Sequence, residues 1–298
     1  MPPKRIINTK DEVPNTLNDI ELTKKSKKLD KKSFISFDLD DEILESPFST
    51  FARPYPKEVS LAVDLLCDIH GVPERDEYVM PVLDALIRTI LSQNTTDKTS
   101  KKAFLLLKKR FPTWNDVLTA DNCDVEDAIR LGGLAEIKTN RIKLILNYIV
   151  TNYPQECGEN HDQPSLEFLR LLKTSKVQEI LSSFKGVGPK TISCVLMFNL
   201  GRASFPVDTH VWHISKRLQW TPASSSRETC YDHLNCRIPN EFKYPLHVLL
   251  VQHGKTCVNC AKGGKLQHKD QAVEKCPFIG WNSSSNSSSS SSSSSKNK

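Results

Sequence analysis

The residues with the most chemical content lie between Phe184 and Asp208. The run Phe184-Lys185-Gly186-Val187-Gly188-Pro189-Lys190-Thr191 stands between a helical pattern ending near Phe184 and another starting near Lys190. Two glycines around one apolar residue make a tight turn between helices, because glycine takes positive φ without steric cost. With no Cβ at 186 and 188, a ligand can approach the backbone closely. Pro189 suits the first turn of the next helix, where its missing N–H costs nothing. The unpaired amides of such a turn point outward at a helix N-terminus, a seat for a phosphate. Gly-x-Gly turns also join helices that bind nothing, so the turn alone leaves both readings open. Eighteen residues beyond Lys190, Pro206-Val207-Asp208-Thr209-His210 opens another amphipathic segment. There Asp208 reads equally well as a helix N-cap.

A second chemical cluster stands near the C-terminus. Cys257 and Cys260 are followed, after fifteen residues, by Cys276, with His268 midway. A Cys-x2-Cys-x7-His-x7-Cys set suits tetrahedral Zn2+, which takes three thiolates and one imidazole. The spacing is wider than in ordinary zinc motifs, and a metal-free loop is the reading favoured over zinc. The other six of nine cysteines (Cys67, Cys123, Cys157, Cys194, Cys230 and Cys236) are scattered. They read as small apolar residues of a reducing compartment, and the odd total argues against a purely disulfide use.

The elements that must position these groups are helical. Val82, Leu83, Leu86, Ile87, Ile90 and Leu91 recur at three and four residues, as do Ile142, Ile145, Leu146, Ile149 and Val150. Leu166, Leu169 and Leu172 predict a helix after Pro164. Val207, Val211, Ile214 and Leu218 predict another, and Tyr244 to Gln252 a strongly apolar one. No sustained period-two alternation or hairpin turn signal is present, so the chain reads as all-α.

Flanking this region, residues 1–50 carry Lys24, Lys25, Lys27, Lys28, Lys31 and Lys32, then Asp38, Asp40, Asp41 and Glu42. Such a segment is expected to be a disordered charged tail. Its basic cluster resembles a nuclear import signal or a nucleic-acid arm, which predicts a nuclear location. Residues 282–298 are a Ser/Asn low-complexity tail, leaving 51–281 as the folded core. No run approaches the ~18 apolar residues of a membrane span, and no secretory signal opens the chain. Of 298 residues, 41 are Lys or Arg and 35 Asp or Glu, a net charge of +6 that permits a polyanionic partner.

In its hairpin and the spaced Lys190 and Asp208, the sequence closely resembles the helix-hairpin-helix DNA glycosylases of the endonuclease III family, the HhH-GPD superfamily. That family's hairpin has the form Leu-Pro-Gly-Val-Gly-Arg-Lys-Thr, followed at the same separation by Val-Asp-Thr-His. Leu91-Ser92-Gln93-Asn94-Thr95-Thr96-Asp97 is similar to its Leu-Ser-Ala-Gln-Ala-Thr-Asp, one residue shorter before Gln. Gly133-Leu134 with Lys138 and Ile142 resembles its Gly-Leu turn, and His253-Gly254-Lys255 its His-Gly-Arg. The resemblance runs from about Tyr78 to Phe278, roughly two thirds of the chain.

The resemblance implies a two-lobed fold, one lobe spanning roughly Asp97 to Gly201 and the other combining the segment before it with residues after Phe205. It implies a base-excision-repair DNA glycosylase with AP-lyase activity, acting as a monomer on duplex DNA that carries a damaged base. Lys190 matches the family's nucleophile, an amine that attacks the sugar C1′ and forms a Schiff base. Its pKa is expected to fall from ~10.4 through burial and the helix N-terminus. Asp208 matches the carboxylate that stabilises oxocarbenium character or assists proton transfer. The DNA-binding set is Lys185, Gly186, Val187, Gly188 and Thr191 of the hairpin, with Gln93 entering the space left by the flipped base and Leu134 as a wedge. Gln93 reads otherwise as a helix cap and Leu134 as core. The family's ending, four cysteines spaced Cys-x6-Cys-x2-Cys-x5-Cys around a [4Fe–4S] cluster, is not matched, so a cluster ranks below zinc. No cofactor is required for the chemistry. A non-catalytic helix-hairpin-helix DNA-binding protein and a monofunctional glycosylase are the rival readings.

Overall fold

The computed structural model describes residues 45–75, 78–158 and 163–281. The lysine cluster, the acidic patch at Asp38–Glu42 and the Ser/Asn tail lie outside the described residues. Those residues form helices α1 (Pro56–His70), α2 (Val82–Leu91), α3 (Asp97–Arg110), α4 (Trp114–Thr119), α5 (Asn122–Ile129) and α6 (Ala135–Asn152), followed by α7 (Thr174–Ser182), α8 (Pro189–Cys194), α9 (Thr209–Arg217), α10 (Arg227–Arg237) and α11 (Asn240–Thr256). No strand occurs among the described residues, and no helix is long and apolar enough to cross a membrane.

The apolar spacings become two separate cores. In the first, Leu86, Ile87, Ile90 and Leu91 of α2 meet Leu107 of α3, Ile142 and Ile145 of α6, and Leu181 and Leu196 around the hairpin. In the second, Val63 and Leu66 of α1 pack with Val211 and Ile214 of α9, with Trp220, and with Leu246 and Leu250 of α11. The fold is therefore all-α and two-lobed, with the N-terminal helix crossing back to complete the C-terminal lobe. The division differs from the expected one at α2. That helix, expected beside α1, is buried along six of its ten residues and belongs to the first lobe.

Two further expectations change in detail. The Leu166–Leu172 pattern forms only a short 3-10 turn, Glu167–Leu171, with Leu171 85% exposed. The carbonyls of Leu169 and Leu172 turn toward the buried Arg202 guanidinium, at 3.1 and 2.5 Å, rather than into an α-helical ladder. At the N-terminus the chain packs before residue 50. The Ser46 hydroxyl lies 2.7 Å from His233 Nδ1, and the Phe48 and Phe51 rings stand edge-on to the same imidazole.

Candidate active site

α7, the turn Phe184–Gly188 and α8 form the helical hairpin. Phe184 and Val187 are buried and hold the turn to the first core. Gly186 has φ +84, the left-handed region. A Cβ there would also meet Arg141 Cδ at 2.7 Å, a contact the flexible arginine can yield, so it is the backbone conformation that requires glycine. Gly188 has φ −100, so its backbone does not require glycine, and a Cβ there would meet no atom of the chain, which leaves the backbone open to close approach. The amides of Gly186 and Gly188 have no acceptor among the described residues, whereas Thr191 N and Ile192 N turn back to Gly188 O. The side chains of Val187 and Thr191, both expected among the DNA-binding residues, are buried. Lys185 is exposed beside the turn.

Two other loops reach the same face. Gln93 is half-buried and caps no helix: its Oε1 accepts from Arg141 at 2.9 Å, and its Nε2 donates to Thr191 Oγ1 at 3.4 Å. Leu134 is not core. It is 49% exposed, at φ +53 and ψ +37, directly after Gly133 at φ +66. A left-handed leucine costs about 1–2 kcal/mol, held here by the buried Lys138. Its Nζ donates to Leu91 O and to Gly132 O, both at 2.8 Å, and joins the Gln93 loop to the Leu134 turn. Burial, with Arg141 nearby, lowers the Lys138 pKa. Lys138→Met is expected to strand both carbonyls and lower stability by about 1–3 kcal/mol, measured by urea unfolding. An unchanged midpoint would show that the staple contributes nothing.

Lys190 sits in the first turn of α8, exposed at its surface and within electrostatic reach of Asp208 and Asp97. Partial desolvation by the surrounding atoms lowers its pKa, but the Cys194 side chain, one helical turn along, and then the Asp208 and Asp97 carboxylates raise it by more, so the net direction is upward. This reverses the expected lowering. Asp208 does cap α9, its Oδ1 accepting from Val211 N at 2.8 Å. Cys194 was legible only as a scattered apolar cysteine; its four-residue spacing from Lys190 was the available signal. Burial pushes its thiol pKa up. Asp97 was also missed as a site residue. It accepts from Lys255 Nζ at 2.6 Å, joining the start of α3 to the end of α11 across the two lobes. Asp97 and Lys255, with Phe198, His247, His268 and neighbouring residues, line a cavity of about 350 Å³. On α3, Lys98, Lys101, Lys102 and Lys109 are exposed, while Lys108 lies over the Trp114 ring.

At the C-terminal end, His253, Cys257, Cys260 and Cys276 converge, all four buried. His268 is corrected as a ligand candidate: it is exposed and lines the cavity beside Asp97. Cys230 and Cys236 lie outside the cluster. Hydrogen bonds from the Cys260 and Cys276 thiols, with His253 alongside, hold the Cys257 thiol well below its ordinary pKa.

This arrangement of hairpin, amine and capped carboxylate has a family. The model of the HhH-GPD superfamily base excision DNA repair proteins matches residues 87–239. The chain belongs to that superfamily. It is 40% identical over 267 residues to an Arabidopsis thaliana protein named "Putative DNA glycosylase At3g47830", covering 79% of this chain and 88% of that one. It is 30% identical over 182 residues to endonuclease III of Sulfolobus acidocaldarius, covering 59% of this chain and 74% of the relative. Among solved structures, a non-covalent endonuclease III–DNA complex shares the fold at TM-score 0.58 and 22% identity, over 75% of this chain and 93% of that one. This HhH-GPD chain thus keeps the superfamily's helical architecture while ending in three cysteines and a histidine.

Proposed function

We propose that the chain is a bifunctional DNA glycosylase that removes a damaged or modified base from duplex DNA and then cleaves the strand. The observation that carries this reading is the Lys190 amine in electrostatic reach of the Asp208 carboxylate, each at a helix start, with the glycine turn of the hairpin directly before Lys190. The Gly186 and Gly188 amides take a backbone phosphate. Leu134 wedges into the stack and Gln93 faces the gap, because a base inside a duplex is unreachable until flipped. The Lys190 amine attacks C1′ as the C1′–N bond breaks, and Asp208 balances the positive charge that develops on the sugar. The bonded amine then loses one proton and its lone pair expels O4′, which takes up a proton, so that the sugar ring opens as a protonated imine forms at C1′; loss of a C2′ proton then expels the 3′ phosphate by β-elimination. The cavity beside Asp97 and Lys255 is of a size to receive the flipped base.

The testing experiment is incubation with duplexes that each carry one defined lesion, with borohydride present. A covalent, borohydride-dependent adduct on at least one lesion supports the reading. Base release without any adduct favours a monofunctional glycosylase, and binding without either favours a non-catalytic grip.

The phosphate grip has its own expected result. At Gly188 a side chain is unstrained, so Gly188→Val adds only methyl groups where the phosphate would lie. Affinity should fall for damaged and undamaged duplexes alike, since phosphate contacts carry no sequence information. The slope of log affinity against log salt should flatten by about 0.9, one phosphate contact. Fluorescence anisotropy at several salt concentrations measures both. An unchanged slope with a changed ranking of lesions would assign the turn to base recognition.

A further inference from the structure

The superfamily resemblance implies a four-cysteine [4Fe–4S] site at this end of the chain, and the residues present do not fit one. The four ligand atoms of His253, Cys257, Cys260 and Cys276 all lie within 4.8 Å of one another. Cys260 Sγ is 3.6 Å from Cys276 Sγ, which is 3.7 Å from His253 Nε2. In a [4Fe–4S] cluster each thiolate binds a different iron, which sets the ligand sulfurs about 6 Å apart. Around one tetrahedral Zn2+, with bonds of about 2.3 Å to sulfur and 2.0–2.1 Å to nitrogen, ligand atoms stand about 3.5–3.8 Å apart. The observed spacings agree with the single ion.

We propose that His253, Cys257, Cys260 and Cys276 bind one structural Zn2+ in place of an iron–sulfur cluster. The donor set agrees, because three thiolates and an imidazole are a closed structural zinc set. The backbone agrees as well: Cys257 and Cys260 bracket a tight turn in which Cys260 N and Ala261 N both donate to Cys257 O, at 3.1 and 2.8 Å. His253 stands one helical turn before Cys257 in α11, so the helix itself presents imidazole and thiolate side by side. With Nε2 on the metal, His253 Nδ1 carries the proton and donates it to His70 Nε2, 3.0 Å away on α1. Such an outer partner fixes the ring of a metal-binding histidine. With all four positions filled by buried protein ligands, the ion has no open coordination site. Its work is to fasten the last turn of α11, which carries Lys255, to the closing segment through Cys276 and Phe278. The Phe278 ring lies edge-on to His253 at 5.5 Å.

The test uses the full chain, expressed with both iron and zinc in the medium and purified without chelator under anaerobic conditions. Elemental analysis is expected to give about one zinc per chain, with neither iron nor acid-labile sulfide. Exchange of the bound zinc for Co2+ should give the intense visible bands of tetrahedral cobalt with sulfur ligands. Cys276→Ser should lose the metal, His268→Ala should keep it, and His253→Cys should keep zinc in a four-thiolate site. Should Cys276→Ser fail to fold, the cobalt spectrum of the unaltered protein still decides between tetrahedral thiolate ligation and none. About four irons with labile sulfide would overturn the proposal. So would a folded chain without metal, a Cys260–Cys276 disulfide, or loss of zinc from His268→Ala.

Discussion

Lys190→Ala is expected to abolish borohydride trapping on abasic and lesion-bearing duplexes, while affinity for abasic-site DNA stays within about threefold, since the variant removes a covalent step and leaves most binding contacts in place. The separation is possible because of where the side chain lies. Lys190 is exposed and sits outside both apolar cores, so its truncation leaves no cavity. Undiminished trapping by the alanine variant would remove Lys190 as nucleophile. Loss of trapping together with loss of binding would instead make it a phosphate contact on the hairpin.

Asp208→Asn is expected to lower turnover by about 10²-fold or more, within the range of general acid–base and electrostatic effects. The structure makes the asparagine variant unusually informative. Asp208 caps α9 through Val211 N, and asparagine caps as well as aspartate. Fold stability should therefore hold in Asp208→Asn and fall by about 1 kcal/mol in Asp208→Ala. The pH profile supplies an independent sign. Asp208 is among the groups that raise the Lys190 pKa, so its neutralisation lowers that pKa. The free amine then becomes available at lower pH. The alkaline rise in trapping rate should move to lower pH even as the maximum falls. A normal maximum with an unshifted profile would reduce Asp208 to a cap.

What the sequence disclosed follows from how local each determinant is. The hairpin was readable because its parts are adjacent: Gly186 needs its positive φ, Pro189 opens α8, and apolar residues lie on either side. α2 and α6 were readable because their apolar stripes repeat every three to four residues. The lobe that receives α2 was not, since periodicity marks a buried face without naming its neighbour. The burial of the Thr191 side chain against Gln93 was not readable, since the partner lies 98 positions away in sequence. The histidine beside the cysteines was misplaced for a similar reason. Linear spacing favoured a histidine midway between cysteines, whereas helix geometry puts His253 beside Cys257. The Lys138 staple and the Asp97–Lys255 pair join residues 47 and 158 positions apart, and no local pattern encodes either.

In the proposed reaction the Lys190 amine becomes bonded to the sugar. The most direct measurement is peptide mapping of the borohydride-reduced protein–DNA adduct, after nuclease and protease digestion, by mass spectrometry. The predicted result is a deoxyribose-derived remnant on Lys190 alone. A remnant on a different amine, such as Lys255, or release of the base with no adduct on any residue, would contradict it.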